Sequence, residues 1–463
     1  IFEGIISLYK LVIYGWTVPI FTFRTVLILL SNILLQFGLF LHIGRNSFFI
    51  LGPFFDKLLP LFILISVYFS EIPLFIFKKI YILKAKLKIL KYKDLVVIGI
   101  TGSYGKTTTK EILAQVLSIK FRILKTPDYN NTEFAVAQVI NRDLSDKYRI
   151  FIVEMGAYKR GEIKSICDMV HPQIGIITGL NNQHLELFGT IQNTMKTKFE
   201  LVESLPISGQ LVINIGNKYL QEIISWCKPL QERLKIHAYL AQQIKIEKIS
   251  KMKDLMTDLT LAENILVNKN GLSFSLRTGE EKNMIYSNII GVQNVENILA
   301  VLAVSRSLGV PMLDAKKALK TLQALPHTMR LIKYNSRVSI LDNSFNSNLI
   351  GTLKSLEYLR QYKGQRAVIL TPLIELGSDA EKSHQILAKK IFEICDILVL
   401  TNYSYYQIFS DEKNRYKDMK KDLYVLSNKF DMTLATNLKR DSIILFQGKE
   451  SAKLLKMFGN YNV

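Results

Sequence analysis

Leu95-Val-Val-Ile-Gly-Ile100, running directly into Thr101-Gly102-Ser103-Tyr104-Gly105-Lys106-Thr107-Thr108-Thr109, is the stretch from which the architecture is read. An unbroken apolar run of this length that ends in a glycine turn is the pattern of a strand buried on both faces of a parallel sheet. Residues 106–117 then space their apolar side chains as a helix does. Strand, glycine loop and helix in succession make a phosphate-binding arrangement. Gly102 and Gly105 let backbone N–H groups turn toward phosphate oxygens, the helix N-terminus adds a favourable dipole, and Lys106 adds a point charge. Thr107 would offer its hydroxyl to Mg²⁺. The strict Gly-x4-Gly-Lys-[Ser/Thr] pattern is not met, because Ile100 stands where its first glycine would be. The context therefore indicates nucleotide binding, but the loop alone does not identify a reaction.

Toward the C-terminus, strand-like runs at 150–154, 174–178 and 210–214 alternate with helix-like stretches, and 293–308 reads as a further helix. A second series begins near Arg330, with strand-like runs at 338–342, 367–371, 397–401 and 442–446. This rhythm predicts parallel-sheet α/β architecture in two units, with a break around 326–330.

The front of the chain differs. Of 463 residues, 49% are hydrophobic and 21% charged, and the mean hydropathy is +0.17. The apolar residues concentrate before residue 77. Residues 25–43 contain no Asp, Glu, Lys or Arg, and about 20 such residues suffice to cross a hydrocarbon core. Residues 58–77, with Glu71 and Pro73, and 5–23, with Lys10 and Pro19, are further candidates. Two or three transmembrane helices are expected. Lys78, Lys79, Lys84, Lys86, Lys88, Lys91 and Lys93 come next, with no acid before Asp94. Such a cluster predicts contact with anionic membrane lipids and a cytoplasmic position for the chain beyond residue 94. Lys and Arg total 60 against 39 acidic residues, a formal charge of +21. That suits an anionic membrane, nucleic acid or a phosphorylated ligand; without a recognition motif, no nucleic acid is expected. Cys167, Cys227 and Cys395 are too scattered for a disulfide framework or a zinc ribbon.

Motifs beyond the glycine loop narrow the chemistry. Phe151-Ile-Val-Glu154-Met-Gly-Ala157 puts an acid at a strand end, and the run from Ile176 through His184 to Gly189 puts a histidine just past another. Lys198 stands in Met-Lys-Thr-Lys-Phe-Glu, and after it come Gly291-Val-Gln-Asn294-Val-Glu-Asn297, Leu341-Asp342-Asn-Ser-Phe-Asn346-Ser-Asn348, and Glu375-Leu-Gly377 with His384. From about 95 to 450 this series resembles the muramyl (Mur) ligase family, most closely its branch that adds D-alanyl-D-alanine to UDP-N-acetylmuramoyl-tripeptide. The resemblance implies a central P-loop-type ATPase domain at 95–328 and a C-terminal Rossmann-like α/β domain at 329–463, behind a membrane and basic segment at 1–94 that takes the place of the family's UDP-binding domain.

It also implies an ATP-dependent, ADP-forming ligase that phosphorylates a carboxylate and lets an amine attack the acyl phosphate. The partners would be a muramoyl-peptide precursor and D-alanyl-D-alanine, on the cytoplasmic side of a bacterial cytoplasmic membrane. By resemblance Lys106, Lys198, His184 and Arg330 are catalytic. Gly102 to Thr108, Asn294, Asn297, Arg330 and Asp342 bind ATP. Thr107, Glu154, His184 and Lys198, the last as a carbamate, surround Mg²⁺, or Mn²⁺ in its place. Asn131, Thr132, Asn346 and Asn348 face the substrates. Gln293, Asn343, Phe345 and Met329 depart from the family pattern at His, Asp, Tyr and Gly, and Gln447-Gly-Lys-Glu-Ser departs from Lys-Gly-Ser. Two other readings stand beside this one: a related ligase acting on another carboxylate, lipid-linked or polymeric, and a non-catalytic nucleotide-binding membrane scaffold.

Overall fold

In this computed structural model the described residues are 23–456 without 44, 128–129, 182–187, 242–251, 323–324, 326–327, 345–346, 375, 417–419 and 427–437. The chain divides into two compact units, Ile1–Lys84 and Ala85–Val463.

The first unit holds α1 (Phe23–Ile43) and most of α2 (Arg45–Ile89). The expectation of two or three spans is not confirmed here. Among the described residues one stretch, Pro60–Ile89, is long and apolar enough to cross a membrane, with a mean hydropathy of 2.0 over its most apolar window, and Thr25–Leu35 of α1 is a shorter apolar stretch. Length and composition are weak evidence when one helix alone meets them, because core helices and leader sequences meet them too. The candidate at 5–23 lies outside the described residues except for Phe23. The lysine run forms the end of α2 and the turn after it, and within the second unit one of its members has a protein partner. Lys88 Nζ donates to the carbonyls of Ile140 (2.8 Å) and Asn141 (3.0 Å), which belong to the last turns of α4 (Glu133–Asp143). A cation there suits the negative end of the helix dipole, where the Ile140 carbonyl also accepts from Leu144 N.

The second unit contains two sheets. In the first, β2 (Ile123–Lys125), β3 (Ile150–Glu154), β1 (Val96–Thr101), β4 (Ile174–Ile177), β5 (Gln210–Asn214), β6 (Lys235–Leu240) and β7 (Asp258–Asn268) lie side by side in that order and run parallel. β8 (Gly271–Thr278) and β9 (Glu281–Ser287) extend it as antiparallel strands. This antiparallel edge departs from the all-parallel expectation. Lys269-Asn270 and Gly279-Glu280 close the two hairpins, and Gly279 takes a φ of 59° there, a left-handed conformation that glycine adopts at little cost. The buried faces of β1 and β3 pack against α3 (Lys106–Leu117) and α8 (Gln293–Ser307), joined by Ile98, Ile152, Ile112, Val301 and Phe274 in one apolar core.

The second sheet has the order β10 (Arg330–Lys333), β11 (Val338–Asn343), β15 (Ser442–Gln447), β12 (Arg366–Leu370), β13 (Ile397–Leu400) and β14 (Asp422–Val425), parallel except for β10. Its central strands are almost wholly apolar and bury both faces, as a sheet covered by helices requires. All three cysteines are free and buried, and burial pushes each thiol up to about 12.

Candidate active site

The loop after β1 is built by close packing. Gly102 has φ 149°, and a Cβ there would come within 2.2 Å of Thr178 Oγ1. Gly105 has φ 82°, and a Cβ there would meet Asn297 Oδ1 at 2.7 Å. Any side chain would disrupt both contacts, so glycine is required by geometry and by space. Gly105 is also the N-cap of α3 and offers no side-chain cap, which leaves first-turn N–H groups available to an anion. Lys106 Nζ donates to the loop carbonyl of Gly102 at 2.7 Å and so curls over the turn. Burial lowers its ammonium, with Glu154 opposing the shift. Ser103 Oγ is buried without a hydrogen-bond partner, an exception that calls for an acceptor or donor from outside the protein.

β3 ends at Glu154, whose carboxylate accepts from Thr107 Oγ1 at 3.0 and 3.1 Å and lies 3.2 Å from Lys110 Nζ. Its backbone N–H donates to Thr126 Oγ1 at 3.0 Å. α6 (Ile191–Glu203) supplies Lys198, 4% exposed, with its ammonium 5.9 Å from the Phe188 ring centre. Burial first, and the Lys106 charge second, push Lys198 down to about 7. From α8, Asn297 Oδ1 accepts from Thr109 Oγ1 at 3.2 Å, and Asn297 Nδ2 donates to Asn294 Oδ1 at 2.9 Å. The loop is thereby buttressed from below by two amides.

These groups face one cavity of about 290 Å³, lined from the first sheet by Gly102 to Thr108, Asn131, Glu154, Tyr158, Lys198, Gln293, Asn294 and Asn297. The second sheet's side contributes Thr328, Met329, Asn343, Asn348, Lys354, Ile374 and Lys449. Most residues expected from sequence therefore converge. Thr132 is not in the lining; it caps α4 by accepting from Ala135 N. Arg330 and Asp342 are not in the lining either, but stand opposite each other across β10 and β11, with Asp342 buried and accepting from Ser344. Asn348 both lines the cavity and caps α10 (Leu349–Leu359). His184 and Asn346 lie outside the described residues. Met329 sits at φ 51°, so the glycine expected at that position has a conformational reason.

Lys110, Lys354 and Lys449 were missed. Lysines within helices read as solvated in sequence, but Lys110 is fully buried and Lys354 sits 3.9 Å from Glu296. Among the described residues no three His, Cys, Asp or Glu side chains converge on a metal site. Thr107 and Glu154 nevertheless offer hard oxygen ligands side by side, as Mg²⁺ prefers.

Residues 100–305 match the family model described as the Mur ligase middle domain. The chain is 28% identical over 288 residues to UDP-N-acetylmuramoyl-tripeptide--D-alanyl-D-alanine ligase of Escherichia coli, covering 62% of this chain and 60% of that protein. Against the ligase of the same name from Buchnera aphidicola the identity is 26%, over 78% and 75%. Among solved structures, MurF ligase from Thermotoga maritima in complex with ADP superposes with a TM-score of 0.66 at 23% identity, over 82% and 83% of the two chains. MurF from Acinetobacter baumannii gives 0.69 at 20%, over 82% and 79%. These structures show the fold. The E. coli match spans about three-fifths of that relative's length. The matches also overturn the expected membrane location, and they do not show the expected lipid partners. The relatives are named for a UDP-linked tripeptide and D-alanyl-D-alanine, not for a membrane or a lipid.

Proposed function

We propose that this chain, which carries a Mur ligase middle domain over residues 100–305, is an ATP-dependent, ADP-forming amide ligase that adds D-alanyl-D-alanine to UDP-N-acetylmuramoyl-tripeptide in peptidoglycan precursor synthesis. The observation that carries this reading is that Lys106, Thr107, Glu154 and Lys198 meet around one cavity although they come from three separate segments. The proposed division is a leading segment at 1–94, a central ATP-binding domain at 95–328 and a C-terminal domain at 329–463; the two separate sheets support it.

The reaction must bring a triphosphate and a carboxylate together although both are anionic. Mg²⁺ supplies charge neutralisation between them, and Thr107 with Glu154 would hold it. The loop N–H groups, Ser103 Oγ and Lys106 bind the phosphates of ATP, and Lys106 accompanies the terminal phosphoryl group as it moves to the carboxylate oxygen. Asn294 and Asn297 set the nucleoside end by fixing α8 beneath the loop. Lys198, held near neutrality by its burial, is suited to take up CO₂ as a carbamate: its neutral amine is the nucleophilic form, and the product presents oxygens where an ammonium could ligate nothing. Asn131 and Asn348 orient the two substrates from opposite walls. The amine of D-alanyl-D-alanine then attacks the acyl phosphate, an amide forms and phosphate leaves. Arg330 and Asp342 join the nucleotide when the second sheet's side closes on it.

Measuring ADP release with ATP and Mg²⁺ tests the reading. Release is expected only with UDP-linked tripeptide and D-alanyl-D-alanine together, and a rate unchanged by that pair would reject the substrates.

A further inference from the structure

Lys110 lies one helical turn beyond Lys106 on α3, is fully buried and is absent from the cavity lining. A buried ammonium is costly unless charge and hydrogen bonds balance it. Lys110 Nζ stands 3.2 Å from Glu154 Oε2 and 3.5 Å from Glu111 Oε1. Glu111 is itself paired with the half-exposed Lys125. The groups therefore alternate in sign from the surface inward, Lys125, Glu111, Lys110 and Glu154, and end at the Thr107 hydroxyl. Glu154 is 3% exposed, so water cannot compensate its charge.

We infer that Lys110 is a positioning residue: the built-in counter-ion of Glu154, holding that carboxylate turned toward Thr107 until a divalent cation shares it. The inference rests on the reading of Glu154 as a cation ligand. It deepens that reading by assigning a group behind the site, one that pairs with the carboxylate from the side away from the cavity lining. Lys110 and the cation bind the same carboxylate, so each should offset the loss of the other.

The test is thermal unfolding of the nucleotide-free full chain, with and without millimolar MgCl₂ or MnCl₂, for the wild type, Lys110→Met, Glu154→Gln and the double variant. Lys110→Met is expected to melt several degrees lower and to recover at least half of that loss when the cation is added, while the wild type shifts less. Adding Glu154→Gln to Lys110→Met should remove the cation response and make the pair less damaging than the sum of the singles. Additive losses, or a Lys110→Met loss that the cation leaves untouched, overturn the inference. If Lys110→Met does not fold, a folded double variant supports it and an unfolded one overturns it. The ligase reading is tested separately, by ADP release from the wild type; melting curves in the absence of nucleotide do not depend on which substrates are correct.

Discussion

The wall of the cavity built by residues 102–198 and the wall built by residues 328–449 face each other with different chemistry. On the first, Lys106, Thr107, Glu154 and Lys198 are held by buried contacts made within that half, from the Gly102 carbonyl to the Thr126 hydroxyl. On the second, the lining is mostly neutral, Thr328, Met329, Asn343, Asn348 and Ile374, while the charged pair Arg330 and Asp342 remains within its sheet. One half is prepared for phosphoryl chemistry as it stands. The other already presents Lys354 and Lys449 but brings Arg330 and Asp342 only by moving, which separates preorganisation from closure.

This asymmetry is most vulnerable at Lys198. Lys198→Ala should lower kcat by about 10²–10³-fold, the usual scale for removing a preorganised charged group; steady-state ADP release measures it, and an unchanged rate would return the first wall to a purely structural role. Next comes pH. Because Lys198 is pushed down to about 7 from 10.5, its amine is neutral above that value and charged below it. Activity should therefore decline as pH falls through about 7, and added bicarbonate should move the midpoint. The same shift affects stability with a definite sign: burying this lysine costs most below about pH 7, and the cost fades as pH rises toward 10.5, where the unfolded chain also loses the proton.

Arg330→Ala probes the opposite wall. If that wall acts through closure, kcat should fall by about tenfold, roughly 1.4 kcal/mol in the barrier, with ADP affinity in the resting protein nearly unchanged; calorimetric titration with ADP separates the two. The smallest effect is expected at Lys354→Ala. Its 3.9 Å pairing with Glu296 is partly solvated, so the loss should stay under about 1 kcal/mol in thermal or urea unfolding.

Much of this was legible because strands buried on both faces read as plain apolar runs. Residues 95–100, 150–154 and 442–446 each fell within one or two residues of a strand, and 106–117 matched a helix. The antiparallel edge was missed. Its strands are half-exposed and mixed in polarity, yet Asn270-Gly271 and Gly279 are the turn signals that would have found the hairpins. The loop residues were legible because the backbone conformation itself demands glycine at Gly102 and Gly105. The position of Arg330 and Asp342 outside the lining was not, because order along a chain does not tell whether two residues face a cavity or stand opposite each other across strands. Lys110 was hidden for a related reason: burial of a lysine is decided by what packs over it, here Glu154 from another strand.

The buried thiols have a practical consequence. Cys167, Cys227 and Cys395 are all inaccessible and protonated at neutral pH, so maleimide dyes should find the native chain silent. One engineered cysteine on each wall, for instance at the exposed Tyr158 and Tyr403, would then carry donor and acceptor fluorophores without background, and the distance between the walls could be tracked in real time as ATP arrives.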